Sequence, residues 1–550
     1  MKNTFVLIFL FSTSLGVGGS FAQTTSEIKT KEPKLVIGFV IDQMRWDYLH
    51  RFKNHFGEGG FRRLMREGFN FENAFLNYAP SMTATGHASI YTGAYPAMHG
   101  IVGNEWVDRQ TGSYTYCTDD FEVKAVGGSS LHGRMSPGNL LATTVGDELK
   151  LSRNFKSKVY GISLKDRGGI FPAGRSGDAA YWLDDSTGNF ITSSWYMNEL
   201  PGWVKNFNAQ RDIDSMMKKG WNLSLPENSY FPARPDENEF EVPITNSNST
   251  SFPHELKDFI GISYMPFRYT PMGNTLTFNF AKLLVTEEAL GKGDVSDMLA
   301  VSLSSPDYIG HKFGPLSLEI EDTYARLDKE IASFLNFLDS IVGKENYLLF
   351  LTADHGAPPV PDFARSKKLS AGNLNNYGLV KVINASFKNE FQKQDLVTHF
   401  YNNQFYLNNH LIDSLNLDRK KIINSVTHFL NKKDEVVMAF EIEKLHETVL
   451  PSVFKEQIAR GYYAKRCGDI YVILKPQYVD YLGKGTEHGT FYNYDTHIPL
   501  IFFGKNIAPG RSFRRVGITD IAPTLSAMLM IQMPNATTGV VLEEVVEIKN

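Results

Sequence analysis

Leu35-Val36-Ile37-Gly38-Phe39-Val40-Ile41-Asp42 is a short apolar, largely β-branched run that ends on a carboxylate. Such a run, bounded by polar residues, reads as a strand of a parallel sheet. Working outward from it, four further runs share the pattern: Val159 to Leu164, Met298 to Ser304, Tyr347 to Thr352 and Ile498 to Phe503. Helical patterns lie between them. The longest, Leu316 to Ile341, sets Leu318, Tyr324, Leu327, Ile331, Phe334, Leu335 and Leu338 at three- and four-residue spacings behind Ser317 as its cap. Strands alternating with amphipathic helices predict an α/β fold with a mainly parallel central sheet flanked by helices, spanning residues 34–550. Two stretches break the alternation and are expected to be insertions. Residues 175–275 are rich in Asn, Ser, Pro and aromatics, and residues 393–480 carry their own patterns (Asp418 to Leu430, Val436 to Ile442, Ile470 to Leu474), as an α+β cap would.

Charge and composition narrow the function. The 550 residues hold 60 acidic against 56 basic side chains, a net charge of −4, which argues against nucleic acid as a dedicated partner. At 42% hydrophobic and 21% charged, the chain has ample material for a large packed core. Met1-Lys2-Asn3, the apolar run Phe5 to Phe11 and Ser20-Phe21-Ala22 form a charge, an apolar stretch and a small-residue cleavage site, in order. Residues 1–22 therefore read as a signal peptide cleaved after Ala22, which predicts a periplasmic or secreted protein. No later segment offers about 18 apolar residues in a row, so no membrane span is expected. The chain is expected to act as a monomer. Export would permit a disulfide, but Cys117 and Cys467 are too far apart in sequence for their pairing to be decided.

In an open parallel sheet, ligands bind just beyond the carboxyl ends of the strands. Those positions are rich in metal-ligating side chains. The first strand ends on Asp42, the third runs into Ser305-Pro306-Asp307-Tyr308-Ile309-Gly310-His311, and the fourth ends Ala353-Asp354-His355-Gly356. Just before the last strand comes Gly485-Thr486-Glu487-His488-Gly489-Thr490. A single Asp after a strand is most often a cap or turn residue. Three Asp and three His from four strand ends can instead converge on one crevice, and a mixed carboxylate and imidazole set suits Zn²⁺. A further segment, Asn77-Tyr78-Ala79-Pro80-Ser81-Met82-Thr83-Ala84-Thr85-Gly86-His87-Ala88-Ser89-Ile90, turns from polar and small residues to a helical apolar pattern. It sets Thr83 near a helix N-terminus, where free N–H groups and the helix dipole favour an alkoxide or a phosphate. Alone, such a Thr is a helix cap; beside metal ions it becomes a candidate nucleophile.

The order Asp42, Thr83 with His87, Asp307 with His311, Asp354-His355 and His488 resembles the alkaline phosphatase superfamily. Within it the chain is most similar to the PafA-type phosphate-insensitive bacterial alkaline phosphatases, over essentially its whole mature length. Asn104, in Gly103-Asn104-Glu105, matches that group's active-site asparagine, and Lys165 with Arg167 matches its Lys-x-Arg pair. The resemblance implies two Zn²⁺ per chain, one held by Asp307, His311 and His488, the other by Asp42, Asp354, His355 and the Thr83 oxygen. It implies hydrolysis of small-molecule phosphate monoesters through a phosphothreonine at Thr83, with Asn104, Lys165 and Arg167 facing the non-bridging oxygens. Gly86 departs from related phosphodiesterases, which often carry Pro-Asn before the His; this is expected to alter the turn and spare the chemistry. A sulfatase would need a Cys or Ser nucleophile followed by Pro and Arg, which Thr83-Ala84-Thr85-Gly86 does not offer. A cofactor-independent phosphoglycerate mutase would be intracellular, against the signal peptide. A phosphodiesterase or nucleotide pyrophosphatase of the same superfamily is the alternative enzyme, and an exported metal-dependent binding protein is the alternative from another class.

Overall fold

The computed structural model describes residues 32–546, apart from 245–248 and 482. The expected signal peptide, residues 1–22, lies outside the described residues. Among them, no helix is long and apolar enough to cross a membrane.

An 11-stranded sheet runs through the core. Its centre is Leu35–Ile41, every residue of which is buried, paired in parallel with Tyr347–Thr352 on one side and Asp297–Leu303 on the other. Asp297–Leu303 pairs in parallel with Val159–Ile162, and that strand with Ala179–Leu183. These strands are buried throughout, as parallel strands covered by helices on both faces must be. The long amphipathic helix spans Leu318–Leu338, and the Ser317 hydroxyl accepts from Ile320 N at 3.2 Å.

Three features depart from the expected pattern. The last strand, His497–Gly504, runs antiparallel to Tyr347–Thr352, so the residues just before it reach the same sheet edge as the residues just after the parallel strands. The strand Phe69–Phe75 was not foreseen; it pairs antiparallel with His497–Gly504, and its polar residues Asn70, Glu72 and Asn73 hide it from an apolar-run search. Residues 175–275 are not wholly outside the sheet either, because they open with Ala179–Leu183 and Phe190–Ser193, which extend it. Residues 397–474 build a second, four-stranded sheet from Val397–Tyr401, Gln404–Leu407, Val436–Glu441 and Ile470–Leu474, with an apolar core of its own that includes Phe405, Ile422, Val426 and Val472. Cys117 and Cys467 are both free and buried.

Candidate metal centre and active site

Asp42 follows Leu35–Ile41, Asp307 and His311 stand one turn apart on the helix Ser305–Phe313, Asp354 and His355 follow Tyr347–Thr352, and His488 precedes His497–Gly504. The fold brings all six to one sheet edge. Ligand atoms of Asp307, His311 and His488 lie within 4.8 Å of one another, and so do those of Asp42, Asp307 and His355. Asp307 thus belongs to both groups. Asp354 sits behind them: its Oδ1 accepts from Gln43 N at 3.2 Å and His355 N at 3.0 Å, and its Oδ2 lies 3.7 Å from His355 Nε2.

The imidazoles are oriented by backbone carbonyls. Nδ1 of His311 meets Thr486 O at 2.9 Å, Nδ1 of His355 meets Gly356 O at 3.0 Å, and Nδ1 of His488 meets Ser81 O at 2.7 Å. A carbonyl only accepts, so each Nδ1 carries a hydrogen and each Nε2 faces the carboxylate side, the orientation that metal-ligating histidines require. The rings of His355 and His488 stack with centroids 3.6 Å apart. Burial, and then the neighbouring His355, push His488 down to about 3, which keeps it neutral. Burial pushes His355 down as well. For His311, the least buried of the three, desolvation is outweighed by Asp307 and Glu487, which raise it to about 10.

The carboxylates fit a cation. Asp42 Oδ1 and Asp354 Oδ2 are buried without a hydrogen-bond partner. Burial, and after it the charges of Asp307 and Asp354, raise the Asp42 carboxyl well above the ordinary range. Desolvation acts on Asp307 too, but His311 and Lys165 hold it well below. Leaving an uncompensated charge in such a site is costly, and metal coordination is a standard resolution.

Thr83 is the first residue of the helix Thr83–Thr92. Its Oγ1 lies 3.4 Å from His355 Nε2 and 3.4 Å from Lys165 Nζ. Two residues on, Thr85 is turned the other way, its hydroxyl 2.8 Å from Met82 O and accepting from Met82 N at 3.1 Å. The close approach behind Thr83 depends on Gly86, since a Cβ there would fall 2.5 Å from the Asp354 carbonyl oxygen. His87 stands behind the ligands: its Nδ1 donates to Thr83 O at 2.9 Å and lies 3.3 Å from Asp354 Oδ2, and its Nε2 meets Ser302 Oγ at 2.9 Å, so it fixes the helix that carries Thr83 against Asp354.

The substrate-facing candidates arrive from one loop, which carries Asn104, and from the start of the helix Asp166–Ala173, where Lys165 is the cap and Arg167 lies in the first turn. Asn104 Oδ1 accepts from Ala84 N at 3.0 Å, which leaves its amide N–H groups to donate. Lys165 does not stand free: its ammonium pairs with Asp42 Oδ2 at 2.7 Å and Asp307 Oδ2 at 2.5 Å. Arg167 donates from Nη1 to Tyr116 OH at 2.8 Å, while its Nε is buried without a partner. Sequence reading missed Tyr116, which gives no periodic or motif signal. It also missed Gln43, the neighbour of Asp42, whose Nε2 donates to Asp307 Oδ1 at 2.7 Å. Asp495 is a third omission: it holds Gly489 N, Thr490 N and Thr490 Oγ1, and so the loop that carries His488.

The description "Type I phosphodiesterase / nucleotide pyrophosphatase" matches residues 36–497. The chain belongs to this phosphodiesterase family. Among relatives, it is 46% identical over 518 residues to alkaline phosphatase PhoV of Synechococcus elongatus, covering 94% of this chain and 93% of that protein. It is 44% identical over 533 residues to a protein of Myroides odoratus named as a calcium-transporting ATPase, covering 96% and 97%. The crystal structure of alkaline phosphatase PafA superposes with a TM-score of 0.92 at 41% identity, covering 94% of this chain and 99% of that one. The likeness to alkaline phosphatases therefore spans sequence and fold over almost the full length, and this family member is an enzyme of the alkaline phosphatase kind. The family is metal-dependent, which agrees with the two candidate ligand groups.

Proposed function

We propose that the protein is an exported two-zinc phosphomonoesterase that works through a phosphothreonine at Thr83. The observation that carries this reading is the placement of the Thr83 hydroxyl at a helix N-terminus beside His355, with the two ligand groups sharing Asp307. When bound, the zinc ions would supply Lewis-acid neutralisation of the attacking and leaving oxygens. The chain's own residues do the rest. Thr83 Oγ1 gives up its proton to solvent and attacks phosphorus in line, the bond to the departing alkoxide breaks, the alkoxide takes a proton from water to leave as the alcohol, and the phosphoryl group rests on Thr83. Water then attacks from the opposite side, inorganic phosphate leaves and the Thr83 hydroxyl is restored. A phosphate monoester needs little covalent assistance, so positioning and charge neutralisation dominate. Asn104 offers its remaining amide donors, and Arg167 its unpartnered Nε, to the non-bridging oxygens. Lys165 adds a cation beside the nucleophile, and small-molecule phosphate monoesters are the substrates this charge pattern suits.

Zinc occupancy is checked by elemental analysis. About two zinc ions per chain are expected, in line with a shared-ligand pair of sites. His488→Ala or Asp307→Asn should lower that content with a drop in activity of at least about tenfold, because an incomplete shell loses affinity. A protein that holds one magnesium ion and no zinc would contradict the assignment.

A further inference from the structure

The hairpin that joins Val397–Tyr401 to Gln404–Leu407 reaches from the second sheet into the catalytic edge. Tyr401 and Gln404 are its last paired residues, leaving Asn402 and Asn403 as a two-residue turn. Both are left-handed, with φ of 55° and 60°. That pattern favours Asn followed by Gly. Here the second position keeps a side chain, and both residues are only 7% exposed, unlike an ordinary hairpin tip. Their amides are used. Asn402 Nδ2 donates to Glu105 O at 2.8 Å and packs on Gly103, so it grips the loop on both sides of Asn104. Asn403 Nδ2 donates to Gly489 O at 3.0 Å, next to His488. The far end is anchored in the second sheet, where Val472 N donates to Asn403 O at 2.9 Å and Gln404 Oε1 accepts from Gly468 N at 2.9 Å.

We propose that the Asn402-Asn403 turn is a positioning element that braces the substrate-binding loop of Asn104 against the metal-ligand loop of His488. This rests on the phosphomonoesterase reading above. Neither asparagine touches substrate, and each acts through the carbonyl that it holds. Adjacent residues should therefore control different properties, Asn402 the recognition of the phosphoryl group and Asn403 the retention of the metal.

Glycine variants test this without loss of the turn, because glycine suits both left-handed positions. In the full-length, zinc-loaded protein, Asn402→Gly should lower kcat/KM for 4-nitrophenyl phosphate about tenfold with zinc release to a chromogenic chelator unchanged. Asn403→Gly should speed that release about tenfold, as loss of support behind a ligand does. Both should stay folded with at most a modest drop in unfolding temperature, since each loses one buried hydrogen bond while the turn geometry is kept. Variants that match wild type in kcat/KM and zinc release within about twofold would overturn the brace and leave the enzyme assignment standing. A lower unfolding temperature in both, with kinetics and release unchanged, would overturn it too and reduce the turn to a structural part. Wild-type protein that neither binds zinc nor turns over the ester would sink both readings together.

Discussion

Replacing Thr83 by alanine is expected to lower kcat/KM for a phosphate monoester at least about a thousandfold, as loss of a covalent nucleophile does, with unfolding temperature and zinc content close to wild type. The expectation follows from where the hydroxyl points. It lies 3.4 Å from His355 Nε2 and Lys165 Nζ, toward the ligands, and Asp42, Asp307 and the three histidines remain to hold metal without it. Thr83→Ser keeps a hydroxyl at the same helix start and should lose far less. Thr85→Ala is the contrasting case. Its hydroxyl serves Met82 N and nearby carbonyls, so its loss should cost about 1 kcal/mol of stability, the scale of a helix-capping contact, with turnover largely kept. Kinetics on an aryl phosphate and thermal melts of the three variants check this, and the reverse order of severity would move the nucleophile two residues along.

The second large effect concerns Lys165 and Arg167. Removing both should lower monoester kcat/KM on the order of a thousandfold, the combined scale of two charge-assisted hydrogen bonds in a desolvated site. Hydrolysis of a diester should change only a few-fold, because its second ester group carries no anionic oxygen for these cations to meet. Zinc content must be measured alongside, since Lys165 also faces Asp42 and Asp307. Arg167→Ala alone is the cleaner probe, for among the described residues its hydrogen-bond and ion-pair partners are Tyr116 and, at 3.9 Å, Asp166. Equal losses on monoester and diester would mean that the pair holds the site together instead of reading substrate charge.

The parts of this architecture that could be read from sequence are those governed by local pattern. Leu35–Ile41 and Tyr347–Thr352 are buried on both faces and so read as continuous apolar runs. Leu318–Leu338 announces itself by its spacing and by Ser317. The convergence of Asp42, Asp307, His311, Asp354, His355 and His488 on one edge could be anticipated as well, because each lies on a segment that follows or precedes a core strand, where a parallel sheet exposes its binding edge. The strand Phe69–Phe75 was hidden because tertiary pairing, and not its own composition, makes it a strand. The contacts of Gln43 and Tyr116 were hidden for a related reason: each acts across a long stretch of chain, and a single sequence carries no record of such distances. Asp495 acts only five and six residues away, but through an irregular turn that has no periodic pattern. Lys165 and Gly86 show the same limit. Their residue types were noted, but the pairing of one with two carboxylates and the tight packing of the other on Asp354 exist only in the folded chain.

One measurement bears most directly on the claim that this site is a metal-dependent phosphomonoesterase. The purified protein is assayed with 4-nitrophenyl phosphate and with bis(4-nitrophenyl) phosphate, then after exhaustive chelation, then after zinc is restored. The account predicts a monoester kcat/KM well above that for the diester, abolished by the chelator and recovered with zinc. Diester turnover that exceeds monoester turnover, or monoester hydrolysis that survives chelation, would contradict it.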